Sequence, residues 1–264
     1  MKKIEIILKK QNDKNEIYEE IVEFDENIEK IDLSYKNLIE IPKGLDQFKQ
    51  LKQLYLNNNQ ITKIENLDNN IDLTDLNLNN NKITKIENLD KLVNLQTLFL
   101  SLNKITKIEN IDKNINLQEL YLYDNQINKI ENLDKNINLK ILYLQNNQIN
   151  KIENLDNLIN LIDLYLSNNK ISKIENIHHL DKLKYFRLFD EDQNENIKES
   201  LSISLDNYNL ELKEIQIQKE IKEELLKQQN NRKLEKEYFD NNFDKIKQQF
   251  ITSINISNDN ELII

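Results

Sequence analysis

The stretch "NNNKITKIENLDKLVNLQTLFLSLNKITKIENI", residues 79–111, contains the eight residues "NKITKIEN" twice, beginning at Asn81 and again at Asn103, 22 positions later. Self-similarity at a fixed period of about 20–50 residues is typical of repeat proteins, in which units stack to bury their apolar side chains. The pattern LxxLxLxxNxIxxIxx(L/I), counted from Leu51, fills six consecutive units of 22 residues. These units are 51–72, 73–94, 95–116, 117–138, 139–160 and 161–182.

A position within a unit is called a slot and is numbered from the first leucine of the unit. A related unit begins near Ile28, and a partial one begins at Leu183. The leucines of slots four and six, such as Leu54 and Leu56, are separated by one residue, which is the period of a β-strand. We therefore predict a parallel sheet with one strand per unit on the concave face of a solenoid. The return segments are too short for long helices and are predicted to form turns or 3₁₀ segments on the convex face.

This pattern, with its recurring phrase "KIENL", resembles the 22-residue, cytosolic type of leucine-rich repeat and is similar to the regulatory subunit of protein phosphatase 1. The resemblance covers about residues 28–190 and implies an α/β leucine-rich-repeat solenoid. In that family, concave acidic and aromatic residues meet the phosphatase catalytic subunit. By slot, the resemblance extends this role to Asp75, Phe99, Glu119, Tyr121, Tyr143, Asp163 and Tyr165.

Slot nine is asparagine in all six units. An amide both donates and accepts hydrogen bonds, so it can satisfy the backbone at the turn that leaves each strand. Asparagine also tolerates a left-handed backbone. We predict a structural ladder, without a catalytic role, formed by Asn59, Asn81, Asn103, Asn125, Asn147 and Asn169.

Slots 13 and 15 are lysine and glutamate in every one of the six units, from Lys63 and Glu65 to Lys173 and Glu175. Each row alone would stack like charges, which is unfavourable. The two rows flank an inward isoleucine and can neutralise one another. The pattern therefore predicts a solvated structural face and argues against a phosphate-binding row of lysines.

Other slots vary, and these are candidates for recognition. Slot five, between the two strand leucines, holds four aromatic residues in consecutive units, after Asn77 and before Arg187 of the partial unit. Leu102 stands where other units have Asn or Asp, and Ile141 also departs from its row. The predicted partner-binding residues are Tyr55, Asp75, Phe99, Leu102, Glu119, Tyr121, Tyr123, Tyr143, Asp163 and Tyr165. The alternative is an aromatic ladder that only stabilises the sheet; Leu102 favours binding.

The flanks are predicted to close the solenoid. Residues 1–27 contain two alternating segments, "KIEIILK" and "IYEEIVEF", and are predicted to form a β cap for residues 28–190. In residues 191–264 a hairpin pattern is followed, from about Ile217, by helical spacing of apolar residues. This α-helical C-terminal tail is predicted either to cap the solenoid or to bind a partner separately, because the family's usual Tyr-Arg cap is not found.

The sequence lacks the residues that several classes of chemistry require. The chain has no cysteine, and Gly44 is its only glycine, so thiol catalysis and a glycine-rich phosphate loop are excluded. The histidines, His178 and His179, are adjacent and diverge, so no metal site is predicted. A net charge of −10 argues against nucleic-acid binding, which requires a basic surface. No apolar run has membrane-spanning length, and we expect no cofactor and a cytoplasmic location.

These observations predict a non-enzymatic protein-interaction module, monomeric, that binds a protein partner through its concave aromatic face. Two alternatives stay open. One is a regulatory subunit of the phosphatase-1 type. The other is a structural or assembly protein that associates with itself through residues 191–264.

Overall fold

The computed structural model describes residues 2–188. Within this range the chain forms a hairpin, an eight-stranded parallel sheet and one 3₁₀ helix, Leu45–Gln47. The strands are β1 Lys3–Gln11, β2 Ile17–Asp25, β3 Lys30–Asp32, β4 Gln53–Tyr55, β5 Asp75–Asn77, β6 Thr97–Phe99, β7 Glu119–Tyr121, β8 Ile141–Tyr143, β9 Asp163–Tyr165 and β10 Tyr185–Arg187.

Strands β1 and β2 form an antiparallel hairpin against the first unit. Alternation along β1 buries Ile6 and Leu8, while Ile7 between them is 51% exposed. The Ile39 N–H donates to the Lys9 carbonyl at 3.1 Å, which fixes β1 to the first return segment. The hairpin thus covers the apolar end of the solenoid at its first turn.

Strands β3 to β10 lie in chain order in one parallel sheet. Each has three residues, and Leu54, Leu76 and Leu98 face one another in register. The central residue of β4 to β9 is buried and its two neighbours are half-buried. The predicted parallel-sheet solenoid of about seven turns is therefore confirmed. The outward side of this sheet, formed by slots three, five, seven and eight, is called the sheet face.

The core lies between the sheet and the return segments. In the unit 51–72 the side chains of Leu54, Leu56, Ile61 and Ile64 are all 0% exposed. The return segments within residues 2–188 consist of turns without an α-helix, apart from the 3₁₀ helix of the first unit. The predicted helical tail, 191–264, lies outside the described residues.

The slot-nine amides connect neighbouring turns. Asn125 donates from Nδ2 to the carbonyls of Leu100 and Leu122, both at 3.0 Å, and its Oδ1 accepts the Ile105 N–H at 2.9 Å. The equivalent amides of the other five units make the same contacts. In the first unit Lys36 takes this slot, and its N–H donates to Asn59 Oδ1 at 3.0 Å.

The left-handed backbone lies in slot eight and not at the ladder asparagine. Positive φ angles occur at the residue before each ladder amide, for example 58° at Asn58 and 53° at Asn80. A second left-handed residue per unit is the last one of "KIEN", such as Asn88 at 57°. Its Nδ2 donates to the Ile64 carbonyl of the preceding unit at 2.7 Å. The repeated asparagines therefore serve two purposes, a hydrogen-bond ladder and two turns.

Candidate partner-binding surface

Four aromatic rings form a continuous row across the sheet face. Phe99 and Tyr121 stack with centroids 4.6 Å apart, and Tyr143 and Tyr165 stack at 4.3 Å. Between these pairs, Tyr121 and Tyr143 meet edge to face at 5.0 Å. All four side chains are half-buried. The row is therefore two stacked pairs with a perpendicular joint, and its rings support one another while part of each stays open to solvent.

Cations of the same chain cover one tyrosine at the end of the row and one outside it. The Arg187 guanidinium lies 5.2 Å from the Tyr165 ring centroid, and the Lys30 ammonium lies 4.6 Å from that of Tyr55. Tyr55 is separated from Phe99 by Asn77 of strand β5, so it does not join the row. The aromatic faces of this surface thus already attract positive charge within the chain.

The carboxylates of slot three lie beside the aromatic rings of slot five. The Tyr121 hydroxyl donates to Glu119 Oε2 at 2.8 Å. Burial and this carboxylate raise the pKa of Tyr121 well above its ordinary value. Burial, Tyr165 and the nearby carboxylates also raise the pKa of Tyr143. The hydroxyls at the centre of the row therefore stay protonated, in an environment made negative by Glu119 and Asp163.

Leu102 differs from the residues in slot eight of the other units, and its backbone conformation is strained. Its φ is 57°, in the left-handed region where Asn or Asp serves in the five other 22-residue units. A leucine there costs roughly 1–2 kcal/mol, yet its side chain is 43% exposed. The Leu102 N–H donates to the carbonyl of Tyr123 at 2.9 Å, which places these two predicted residues side by side.

Tyr35 is a candidate that the sequence reasoning missed. It occupies slot eight of the first unit, with a φ of 57°, and is 74% exposed. It lines a concavity of about 550 Å³ together with Lys30, Asp32 and Tyr55. The available signal was Lys36 in the ladder slot, since aligning the first unit on it puts Tyr35 in the slot of Leu102.

The predicted residues do not all come together. Asp75 lies on β5, two strands from Glu119, and its carboxylate accepts the Thr74 hydroxyl at 2.6 Å. Tyr55 lies further along, next to Lys30. The acids beside the aromatic row are Glu119 and Asp163, which flank Ile141 in register.

A second apolar feature, on the return segments, was also missed. In five of the six 22-residue units, slot 21 holds a β-branched residue that is about half exposed, two positions before the next unit begins. The sequence could have predicted this feature, because slot 21 is repeatedly apolar although it lies outside the pattern of buried residues. These residues are Ile71, Val93, Ile115, Ile137 and Ile159.

The return segments show no reactive constellation. Glu175 pairs with Lys173 at 3.1 Å and with Lys151 at 3.7 Å, which joins the lysine and glutamate rows at that point. His179 Nε2 lies 3.0 Å from the Leu155 carbonyl, a structural contact. In residues 2–188 no group of three acidic or histidine side chains is placed to hold a metal ion. Nor does this part of the chain include a helix that could span a membrane.

A parallel sheet of three-residue strands, one per 22-residue turn and joined by amide ladders, defines a solenoid repeat protein. The family model described as "Leucine Rich repeats (2 copies)" matches residues 26–69, 71–113 and 115–157. The chain belongs to the leucine-rich-repeat family.

Solved leucine-rich-repeat structures are similar to this chain. A leucine-rich-repeat protein of Leptospira interrogans is 29% identical with a TM-score of 0.57, over 60% of this chain and 42% of that one. Internalin C2 of Listeria monocytogenes is 30% identical with a TM-score of 0.49, over 61% of this chain and 80% of the other. The chain spans less than half the length of the Leptospira protein. No curated protein sequence matches it.

Proposed function

We propose that the chain is a non-enzymatic protein-interaction module whose sheet face, the concave side of the solenoid, binds a partner protein. Leucine-rich-repeat proteins generally bind protein partners, which supports the class of function. Tyr55 and the carboxylates of Asp75, Glu119 and Asp163 belong to the same proposed surface, with Tyr55 and Asp75 lying further along the sheet. The central anchors are Phe99, Leu102, Tyr121, Tyr123, Tyr143 and Tyr165.

The observation that carries the proposal is the exposed Leu102 at a φ of 57°. An aromatic row by itself is also explained by sheet stability, because stacked rings stabilise neighbouring strands. A solvent-exposed leucine in a left-handed backbone has the opposite effect, since it strains the fold and buries little. Strain that folding does not need is typical of residues kept for recognition.

The mechanism we infer is preorganisation. The rings of Phe99, Tyr121, Tyr143 and Tyr165 are already packed against one another on a rigid sheet. Tyrosine has only two side-chain torsions, and packing restricts them before the partner arrives. Docking on such a surface therefore costs less side-chain entropy than docking on isolated rings.

Affinity capture from lysate of the source organism tests the proposal. The variant Phe99→Ala/Tyr121→Ala/Tyr143→Ala is compared with the wild type and with the matched variant Ile115→Ala/Ile137→Ala/Ile159→Ala. The matched variant removes three exposed apolar side chains from the return segments. We expect the sheet-face variant to lose its partner and the matched variant to keep it. If a folded sheet-face variant, checked by circular dichroism, retains every captured protein, the proposal is wrong.

Two finer alternatives have their own signatures. A phosphatase-1-type regulatory subunit would capture a phosphatase catalytic subunit through the same face. A self-associating assembly protein would form concentration-dependent oligomers that disappear when residues 191–264 are removed.

We place the protein in the cytoplasm as part of the proposal, supported by the lack of cysteine in 264 residues.

A further inference from the structure

One place on the sheet face combines an apolar floor, two carboxylates and tyrosine rings. Ile141, the first residue of β8, is half-buried and stands in register with Glu119 on one side and Asp163 on the other. At a strand spacing of about 4.8 Å, the Cα atoms of the two acids are roughly 10 Å apart. Tyr143, two residues after Ile141, faces the same side of the sheet.

The two carboxylates converge on the joint of the aromatic row. Glu119 accepts the Tyr121 hydroxyl at 2.8 Å. The charges of both acids act on the hydroxyls of Tyr121 and Tyr143, whose pKa values they help to raise. Both carboxylates are therefore close to the same pair of rings, on the two strands that flank Ile141.

Asp163 is incompletely satisfied. Its Oδ1 is shielded from solvent and has no hydrogen-bond partner within residues 2–188. Because no donor in the described residues compensates this buried oxygen, the negative charge of the half-buried Asp163 carboxylate is left to attract a cation that approaches from the sheet face. The site therefore favours a cationic donor over a neutral one.

The cation that already covers a ring of the aromatic row is an arginine. Lysine is abundant in the sequence, whereas Arg187 and Arg232 are its only arginines. Arg187 nevertheless occupies slot five beside the row, with its guanidinium 5.2 Å from the Tyr165 centroid. A guanidinium is planar, weakly hydrated and able to stack on a ring while its N–H groups reach carboxylates. Arginine is thus the cation whose chemistry matches tyrosine faces and two acids together.

We propose that the partner of the sheet face inserts an arginine side chain over Ile141, between Glu119 and Asp163. Its methylene stem packs on Ile141 and the ring of Tyr143, and its guanidinium donates to both carboxylates. The inference rests on the proposed function and specifies the chemistry of the partner: a basic protein segment with an exposed arginine.

The test uses the full chain and a small probe, so that it does not depend on knowing the partner. Nα-acetyl-arginine methylamide is titrated into protein labelled at the isoleucine methyl groups, with the Ile141 signal assigned by Ile141→Val. Nα-acetyl-citrulline methylamide, which has nearly the same shape without charge, and the lysine analogue are titrated in parallel. We expect a saturable shift of the Ile141 methyl signal and binding of the arginine probe at least about 5-fold tighter than either analogue.

Variants that replace one carboxylate with an amide of nearly the same shape test which negative charges bind the arginine probe. Glu119→Gln and Asp163→Asn are each expected to weaken the arginine probe by about 5-fold. Asp134→Asn removes the same charge from an exposed position of a return segment and is expected to change nothing. Equal binding of arginine and citrulline, equal binding of arginine and lysine, or an equal effect of Asp134→Asn would each overturn the arginine site. The capture experiment with the sheet-face variant is independent of this result, so failure of the site and failure of the proposed function are distinguished.

Discussion

At the scale of single residues, the asparagine of slot nine joins one turn to the next. Asn125 is 8% exposed and bonds backbone groups of Leu100, Ile105 and Leu122. The sequence predicted this use of the amide, because only a side chain that both donates and accepts can serve such a turn. It did not reveal which of two adjacent asparagines is left-handed, since slots eight and nine read alike.

We expect Asn125→Ala to lower the free energy of unfolding by about 2–3 kcal/mol, because three buried backbone groups in two neighbouring turns lose their partners. Urea denaturation followed by circular dichroism measures the change. Asn138→Ala is the control: this exposed amide makes one bond, to the Ile115 carbonyl at 2.9 Å, and its loss should cost less than about 0.5 kcal/mol. Equal losses in the two variants would show that the ladder is not a special source of stability.

At Leu102, fold stability and partner binding are expected to favour different residues. Leu102→Asn is expected to raise the free energy of unfolding by about 1 kcal/mol, because asparagine adopts a φ of 57° with less strain. The same change should weaken partner binding. Denaturant midpoints and affinity for the captured partner measure the two effects.

The reverse change in the same slot is the control for Leu102. Asn146 also has a φ of 57°, and Asn146→Leu should lower stability by a similar amount. If Leu102→Asn binds its partner as tightly as the wild type does, Leu102 is not an anchor.

At the scale of elements, the hairpin shows how alternation decides burial. The sequence predicted two strands in residues 1–27 from their period of two. Only the packed structure shows that β1 lies along the first return segment, through the Ile39 and Lys9 backbone contact at 3.1 Å. The docking position depends on the shape of the first unit, which a local pattern does not contain.

Neighbouring positions on β1 should therefore respond very differently to truncation. Leu8→Ala is expected to lower the free energy of unfolding by about 2–4 kcal/mol, because Leu8 is 1% exposed and a cavity would remain. Ile7→Ala, on the solvent side, should change it by less than about 0.5 kcal/mol. Thermal and urea unfolding of both variants provide the measurement, and similar losses would contradict the docked position of the hairpin.

At the scale of the whole solenoid, contacts between turns are local, so stability is close to a sum over neighbouring units. Deleting residues 73–94 removes one complete unit and joins Asp72 to Leu95 with the pattern intact. We expect a folded, less stable protein that retains the Phe99 to Tyr165 row. Circular dichroism, urea denaturation and partner capture measure these outcomes.

A half-unit deletion is the matched control. Removing residues 73–83 places a return segment where a strand belongs, so the next strand loses its register with β4. This variant should not fold cooperatively. If it is as stable as the variant that lacks 73–94, the 22-residue period is not what holds the solenoid together.

The sequence by itself determined the period, the parallel sheet, the buried leucine and isoleucine positions and the ladder amides. It could do so because every turn solves the same packing problem and repeats its solution. Only the tertiary structure decided how the side chains of neighbouring turns meet: the perpendicular joint between Tyr121 and Tyr143, the strained exposure of Leu102 and the carboxylates beside Ile141. These features arise between units 22 residues apart, where ring orientation and backbone torsion depend on neighbours in space rather than in sequence.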